Sequence, residues 1–350
     1  MKFIDLFAGI GGFRIAFENL NNQCVFSSEI NKNCQIVYKR NFNELPVGDI
    51  KKFNLEEIPD FDILTAGFPC QPFSLCGKKE GFMDQERGTL FFDIAEILRI
   101  KRPKMFLLEN VKGIKTHQSG ETLTFIKNKL TSLGYFFYDQ IIDTYDFGIP
   151  QYRERWYCVG FDRDIQFKFP SFKKKGSTLR EIIELDQNSE ELKLTDYELK
   201  IIDYHFKNYK KNKRVRHNNS HCNPNSKKGK YGIYSYLKPD NCLRFYTGDI
   251  SKSQIQDDYF VSLDSVAPTL IATRAPKMWD LRRHLSVLEC KRLQTFPETF
   301  NLDDVSIKVA KKQLGNSVTI KVVEEIASEM LKSYEANVPN IYKKQLLLTI

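Results

Sequence analysis

Three stretches of this chain carry residues of the right type, and in the right local setting, to do chemistry together. Cys70 stands between Pro69 and Gln71 in the stretch FPCQPFS. It follows an apolar run at residues 63–66 that reads as a buried strand, and it opens a loop rich in Gly, Lys and Gln that lasts to about Arg87. A thiolate at the carboxyl end of a strand, where α/β sheets bind ligands, is placed to act as a nucleophile. A buried structural cysteine is the plainer alternative. Glu109 ends a second apolar strand (PKMFLLE, residues 103–109) on the same edge. Burial there would raise its pKa, so that the acid could stay protonated and donate a hydrogen bond. Gln151, Arg153 and Arg155 alternate at the start of a later strand and so share one face. Two guanidiniums and an amide suit a base edge and phosphates; a salt-bridged surface would use the same residues.

The elements that must hold these groups can be read in order. Residues 2–7 (KFIDLF) form a short apolar strand, AGIGG makes a turn, and FRIAFENL carries Phe13, Ala16, Phe17 and Leu20 on one helical side. Strand, glycine turn and helix form the first unit of a nucleotide-binding α/β fold, with the glycines allowing close backbone approach. Arg14 stands where the third glycine of a dinucleotide motif would be, which hints at an adenosine ligand without a pyrophosphate. Glu29 ends the second strand, placed to accept from ribose hydroxyls. Asn31 caps the helix that follows. Gly48-Asp49-Ile50 reads as the end of a third strand, with Asp49 available to an adenine amino group. Further on, residues 135–143 and 155–161 look like a closing antiparallel pair.

Between residues 171 and about 264 the chain turns basic and aromatic, with KKK at 173–175, KNYKKNKRVRH at 207–217 and interleaved tyrosines. This reads as a smaller domain that holds DNA phosphates and some base edges. Order returns at APTLIATR. Ser286 with Glu289 forms a capping box, and Val322, Val323, Ile326 and Met330 give the last long helix an apolar face, expected to lie on the sheet of the first domain.

Bulk properties agree with such a reading without forcing it. The 350 residues carry a net charge of +9, so an anionic partner is plausible on charge alone. Eight scattered cysteines form no CxxC pair, which argues against a zinc ribbon or a disulfide framework and for a reducing, cytoplasmic setting. No apolar run is long enough for a membrane span.

Taken together, DLFAGIGGFR (5–14), Glu29, Gly48-Asp49-Ile50, GFPCQPFS (67–74), RGTLF (87–91), LLENV (107–111), QYRER (151–155), RLQTFP (292–297) and GNSV (315–318) resemble the bacterial DNA cytosine-5 methyltransferases of restriction–modification systems. The pieces stand in that family's order and span the chain except for about 171–264. The resemblance implies a doubly wound, mixed α/β sheet of the S-adenosylmethionine-dependent, Rossmann-like type, with a smaller irregular target-recognition domain. The expected layout is a catalytic domain at 1–170, target recognition at 171–275 and a return to the catalytic domain at 276–350.

The implied chemistry is a methyl transfer from S-adenosylmethionine, leaving S-adenosylhomocysteine, to carbon 5 of a cytosine flipped out of double-stranded DNA, with no metal. Cys70 adds to carbon 6, Glu109 holds the base at N3 and its amino group, Arg155 lies near O2 and the glutamate, and Arg153 supports the nucleotide's phosphate and the loop. For the cofactor, Phe7 stacks on adenine, and Ile10, Gly11 and Gly12 line the methionine part. Glu29 takes the ribose, Asp49 and Ile50 the adenine, and Pro69, Leu90, Asn316 and Val318 close the pocket. Ile30 stands where many relatives carry tryptophan, which weakens adenine packing on that side. The DNA contacts expected are Gln71, Ser74, Gln151, Arg153 and Arg274; Cys76 occupies a loop position where some relatives use serine. A cognate endonuclease acting on the same site is an implied partner, a monomer the implied state, and the bacterial nucleoid the implied place of work. Three other readings stay in view: a tRNA cytosine-5 methyltransferase of the same fold, a non-catalytic DNA-binding homologue, and a nicotinamide dehydrogenase. The intact Cys70, Glu109 and Arg155 weigh against a non-catalytic protein, and the incomplete glycine motif weighs against a dehydrogenase.

Overall fold

Strand β1 (Lys2–Leu6) is buried on every residue but its first, the charged Lys2, because the rest of KFIDL is Phe3, Ile4 and Leu6 with no charge but Asp5. The turn after it places Gly9 and Gly11 at φ +55° and +87°, a region open to glycine, and leads into α1 (Gly12–Glu18). β2 (Gln23–Ser28) follows, and Asn31 caps α2 (Lys32–Phe42) by accepting from the backbone of Asn33 and Cys34. Then come β3 (Ile63–Gly67), α3 (Leu90–Lys101), β4 (Met105–Val111), α4 (Glu121–Ser132), β5 (Phe136–Asp143), β6 (Gln151–Tyr152) and β7 (Glu154–Phe161). The computed structural model describes residues 1–68, 90–171, 177–187, 189–210, 213–217, 233–247 and 255–337. Pro69, Cys70, Gln71, Ser74, Cys76 and the loop to Arg87 therefore lie outside the described residues.

The main sheet runs β2-β1-β3-β4-β7-β5. Strands β2, β1, β3 and β4 are parallel to one another, while β7 is antiparallel to both β4 and β5. Its register sets Leu6 beside Ser28 and Ala66, and Gly67 beside Glu109. The carboxyl ends of four strands thus deliver Phe7, Glu29, Phe68 and Glu109 to one edge, where sheets of this kind bind ligands. The expected third strand at residues 48–50 is corrected. Only Val47 bridges to Ser28, and Asp49 instead caps a short 3-10 turn (Ile50–Lys52) by accepting from the Lys51 amide at 3.1 Å.

The basic, aromatic stretch contains more regular structure than its sequence marks. α5 (Asp196–Asn208) opens on a capping box from Thr195 and Glu198. It packs under an antiparallel sheet made of β8 (Val215–His217), β9 (Ile233–Leu237), β10 (Leu243–Thr247) and β11 (Ile255–Phe260), in the order β11-β10-β9-β8. This unit has its own core of Leu194, Ile201, Ile202, Ile233, Leu243, Phe245 and Phe260. Leu179, Ile183, Ala267 and Leu270, on either side of it, belong to the large core instead.

The chain then returns. β12 (Ala267–Pro268) pairs in parallel with β6, and β13 (Lys277–Met278) with β14 (Arg283–His284). Three helices follow: α6 (Val287–Leu293) under its Ser286–Glu289 capping box, α7 (Ile307–Asn316) and α8 (Ile320–Ala336). The apolar face of α8 is buried as its spacing demands; it packs against α1, in the core that also holds Phe3, Leu107 and Val159 of the main sheet. No helix among the described residues is long and apolar enough to cross a membrane.

Candidate active site and nucleic-acid cleft

A cleft of about 600 Å³ opens along the carboxyl edge of the main sheet. Phe7, Glu29, Ile30, Asp49, Ile50, Leu90 and Asn316 line it, which unites seven of the expected cofactor residues from five separate parts of the chain. The Glu29 carboxylate is fixed from two sides, accepting from the Gly9 amide at 2.8 Å and the Asn31 amide at 2.7 Å. Ile30 next to it is 68% exposed, leaving an apolar side chain on the cleft wall. Ser28 also lines the cleft; its hydroxyl is buried with no hydrogen-bond partner among the described residues, an unspent polar group facing a ligand space. A fixed carboxylate, a second acid at Asp49, a free hydroxyl and apolar Phe7, Ile30 and Ile50 fit an adenosine with its ribose.

Ile10, Gly11, Gly12 and Val318 do not line this cleft. Ile10 is buried in the core. A side chain on Gly11 would meet the Phe42 ring, and one on Gly12 would sit 2.8 Å from both Ser317 Oγ and Val318 Cγ2. The close approach these glycines permit is to α2 and to the chain just after α7, while Gly9, in the same turn, lines the cleft. Sequence reasoning missed Gly9, Ser28, Asn31, Cys34, Gly48, Phe68 and Asn110 as lining residues. The signal for three of them was simple adjacency: Ser28 and Asn31 flank Glu29, and Asn110 follows Glu109.

At the far end of the cleft Glu109 meets Arg155, with Oε1 3.2 Å from Nε and both side chains nearly buried at 12% and 13% exposure. Burial pushes the Glu109 carboxyl above its ordinary pKa, and the positive charges of Arg155 and Arg153 oppose that only in part. Directly after it, Asn110 donates through Nδ2 to the Phe68 carbonyl at 2.9 Å, tying the end of β3 to the end of β4.

Gln151 and Arg153 correct their expectation. Gln151 is fully buried, donating to the Leu293 carbonyl at 3.0 Å and accepting from the Leu270 amide at 2.8 Å. Arg153 is 2% exposed and donates to the carbonyls of Leu270 (2.7 Å), Gly315 (3.2 Å) and Ser317 (2.5 Å). Burial lowers its pKa, but three carbonyl oxygens favour the charged form. In this arrangement the guanidinium clamps the turn after α7 against the strand start, and it borders the cleft. Arg274 stacks on Tyr259, 4.2 Å from the ring centroid. A second, basic cleft of about 390 Å³ is lined by Lys112, Tyr152, Arg155, Arg244, Pro268 and Thr269 among others, so Arg155 borders both spaces.

Comparison with known proteins agrees with this arrangement. The family model described as C-5 cytosine-specific DNA methylase matches residues 1–332. The Type II methyltransferase M.DsaV of Dactylococcopsis salina is 41% identical over 335 residues, covering 95% of this chain and 86% of its own length. M.HaeII of Haemophilus aegyptius, also a Type II methyltransferase, is 38% identical over 347 residues, covering 98% and 96%. Among solved structures, a DNMT2 variant of Spodoptera frugiperda superposes with a TM-score of 0.67 at 19% identity, over 94% of this chain and 99% of that one, a likeness of fold. The chain therefore belongs to the C-5 cytosine-specific DNA methylase family and is a DNA (cytosine-5-)-methyltransferase of the restriction–modification type.

Proposed function

We propose that the chain methylates carbon 5 of one cytosine in a short double-stranded DNA sequence, using S-adenosylmethionine bound in the larger cleft and Cys70 as the nucleophile. The observation that carries this reading is the Glu109–Arg155 pair beside Asn110, whose side chain holds the carbonyl of Phe68, two residues before Cys70.

The cytosine leaves the helix, at an unstacking cost of roughly a few kcal/mol, and enters the space bordered by Arg155 and Glu109. The Cys70 thiolate adds to carbon 6. Protonated Glu109 donates to N3 and accepts from the amino group, so its hydrogen bonds strengthen as negative charge builds on the ring. Arg155 orients the glutamate and meets O2. When bound, S-adenosylmethionine supplies the electrophilic methyl group. Glu29 would hold its ribose, Asp49 its adenine amino group, and Phe7 and Ile30 its apolar faces. Loss of the carbon-5 proton and departure of Cys70 then restore the aromatic ring. The unit built on α5 and β8–β11 serves as target-recognition domain, and a restriction endonuclease reading the same site is the partner implied by the family.

Bisulfite sequencing of unmethylated DNA, after incubation with the protein and S-adenosylmethionine, tests this reading. Protection of cytosines in one short context, lost with Cys70→Ala, is expected. Protection nowhere, or unchanged protection by Cys70→Ala, would overturn it.

A further inference from the structure

The small sheet has two chemically distinct faces. Val215, Ile233, Ser235, Leu243 and Phe245 alternate along β8–β10 and are buried toward α5. The intervening residues form the other face, where Arg216 lies opposite Tyr234, Tyr234 opposite Tyr246, and Tyr236 opposite Arg244. Tyr236 and Tyr246 stack with their planes 6° apart. Such a surface of guanidiniums and rings suits nucleic acid.

Its arginines are not held alike. Arg214 and Arg216 are exposed and lie over Tyr236 and Tyr234 at 5.7 and 6.0 Å, within reach of a phosphate from solvent. Arg244 is half-buried. Its guanidinium lies 5.1 Å from the Tyr259 centroid, a ring it shares with Arg274. It also lines the basic cleft together with Arg155, which pairs with Glu109. A phosphate contact needs only a positive charge, and a mobile lysine supplies one. A guanidinium locked in one plane matches two acceptors on a base edge, and in the major groove guanine O6 and N7 are that pair.

We propose that Arg244 is a specificity-determining residue, its guanidinium held on Tyr259 at the cleft wall so as to read one guanine of the recognised sequence bidentately. This rests on DNA being the substrate, as argued above.

The test begins with the context that wild-type protein protects in bisulfite sequencing. Each guanine of that context, on either strand, is then replaced in turn by 7-deazaguanine, which lacks only the N7 acceptor. Wild-type methylation is expected to fall about tenfold at one position. Arg244→Lys keeps the charge without the fork, so it is expected to be slower on ordinary DNA and to lose nothing more at that one position. Arg244→Gln runs beside it, with the same expectation, should the lysine variant fail to fold. Arg216→Ala is the contrast, weakening every context evenly and lowering the salt slope by about one. A context without guanine, indifference to every replacement, additive losses, or an even loss from the Arg244 variants would overturn the proposal. Those outcomes with an active wild-type enzyme leave DNA methylation standing; a wild-type protein that methylates no DNA sinks both.

Discussion

The Asn110 side chain donates to the carbonyl of Phe68 at 2.9 Å, so the residue after the acid Glu109 also anchors the stem of the chain that leads to Cys70. Both partners are buried, at 1% and 5% exposure. Asn110→Ala would leave the Phe68 carbonyl unpaired, at about 1–3 kcal/mol of stability. The larger effect is expected in rate: single-turnover methylation falls roughly 10- to 100-fold, since small misplacements of a nucleophile are costly. Chemical denaturation and single-turnover kinetics check both, and an unchanged rate would separate the loop from this anchor.

Glu109→Gln is expected to keep DNA binding and lose on the order of 10²–10³ in single-turnover rate, the scale for a donor aimed at developing charge. Burial raises the Glu109 pKa, so its protonated form persists to higher pH than an ordinary glutamic acid. Activity that needs this form holds below the folded pKa and falls as pH rises through it. Arg155 pulls that pKa down, so Arg155→Gln is expected to shift the alkaline limb upward even while it lowers the maximum. A rate–pH profile measures the limb, and a downward shift would contradict the assignment.

Arg153→Lys can satisfy at most part of what three carbonyls require, so a destabilisation of about 3 kcal/mol is expected in denaturant unfolding. The salt slope of DNA binding is expected to stay where it is. A slope reduced by about one would mean that Arg153 contacts phosphate after all.

In the small unit, Ser235 Oγ lies 2.7 Å from His205 Nδ1 and 2.6 Å from His217 Nε2, under full burial. Burial lowers the His205 pKa to about 4. The unfolded chain binds a proton near pH 6.5 that the folded chain refuses until about pH 4. Its contribution is thus fully present above pH 6.5 and lost as pH falls toward 4, at about 1.4 kcal/mol per pH unit. Thermal melts at pH 7.5 and 5 are expected to differ by several degrees, and His205→Gln to shrink that difference. An undiminished difference would place the acid sensitivity elsewhere.

The carboxyl edge of the main sheet was largely legible because its signals are local. Apolar runs ending in Glu29 and Glu109, the Asn31 cap and the Ser286–Glu289 capping box each declare an element within a few residues. What failed was long-range. Alternation correctly put Gln151 and Arg153 on one face, but only residues 270, 293 and 315–317, more than a hundred positions later, decide that the face is packed rather than solvated. Residues 48–50 misled because Asp49 competes for the backbone and closes a turn where a strand was expected. The small sheet hid for another reason. Its outer face alternates Arg with Tyr, and because tyrosine is both apolar and polar, IYSYL and LRFYT show little contrast between faces.

Covalent capture tests the central claim most directly. Duplex DNA carrying 5-fluorocytosine at the target position cannot lose a proton from carbon 5, so the cysteine adduct should persist after methyl transfer. Incubation with S-adenosylmethionine, denaturation, proteolysis and peptide mass measurement should place the nucleotide on Cys70, with no adduct formed by Cys70→Ala. An adduct on Cys76, or none with a protein that methylates ordinary DNA, would contradict the assignment of Cys70 as nucleophile.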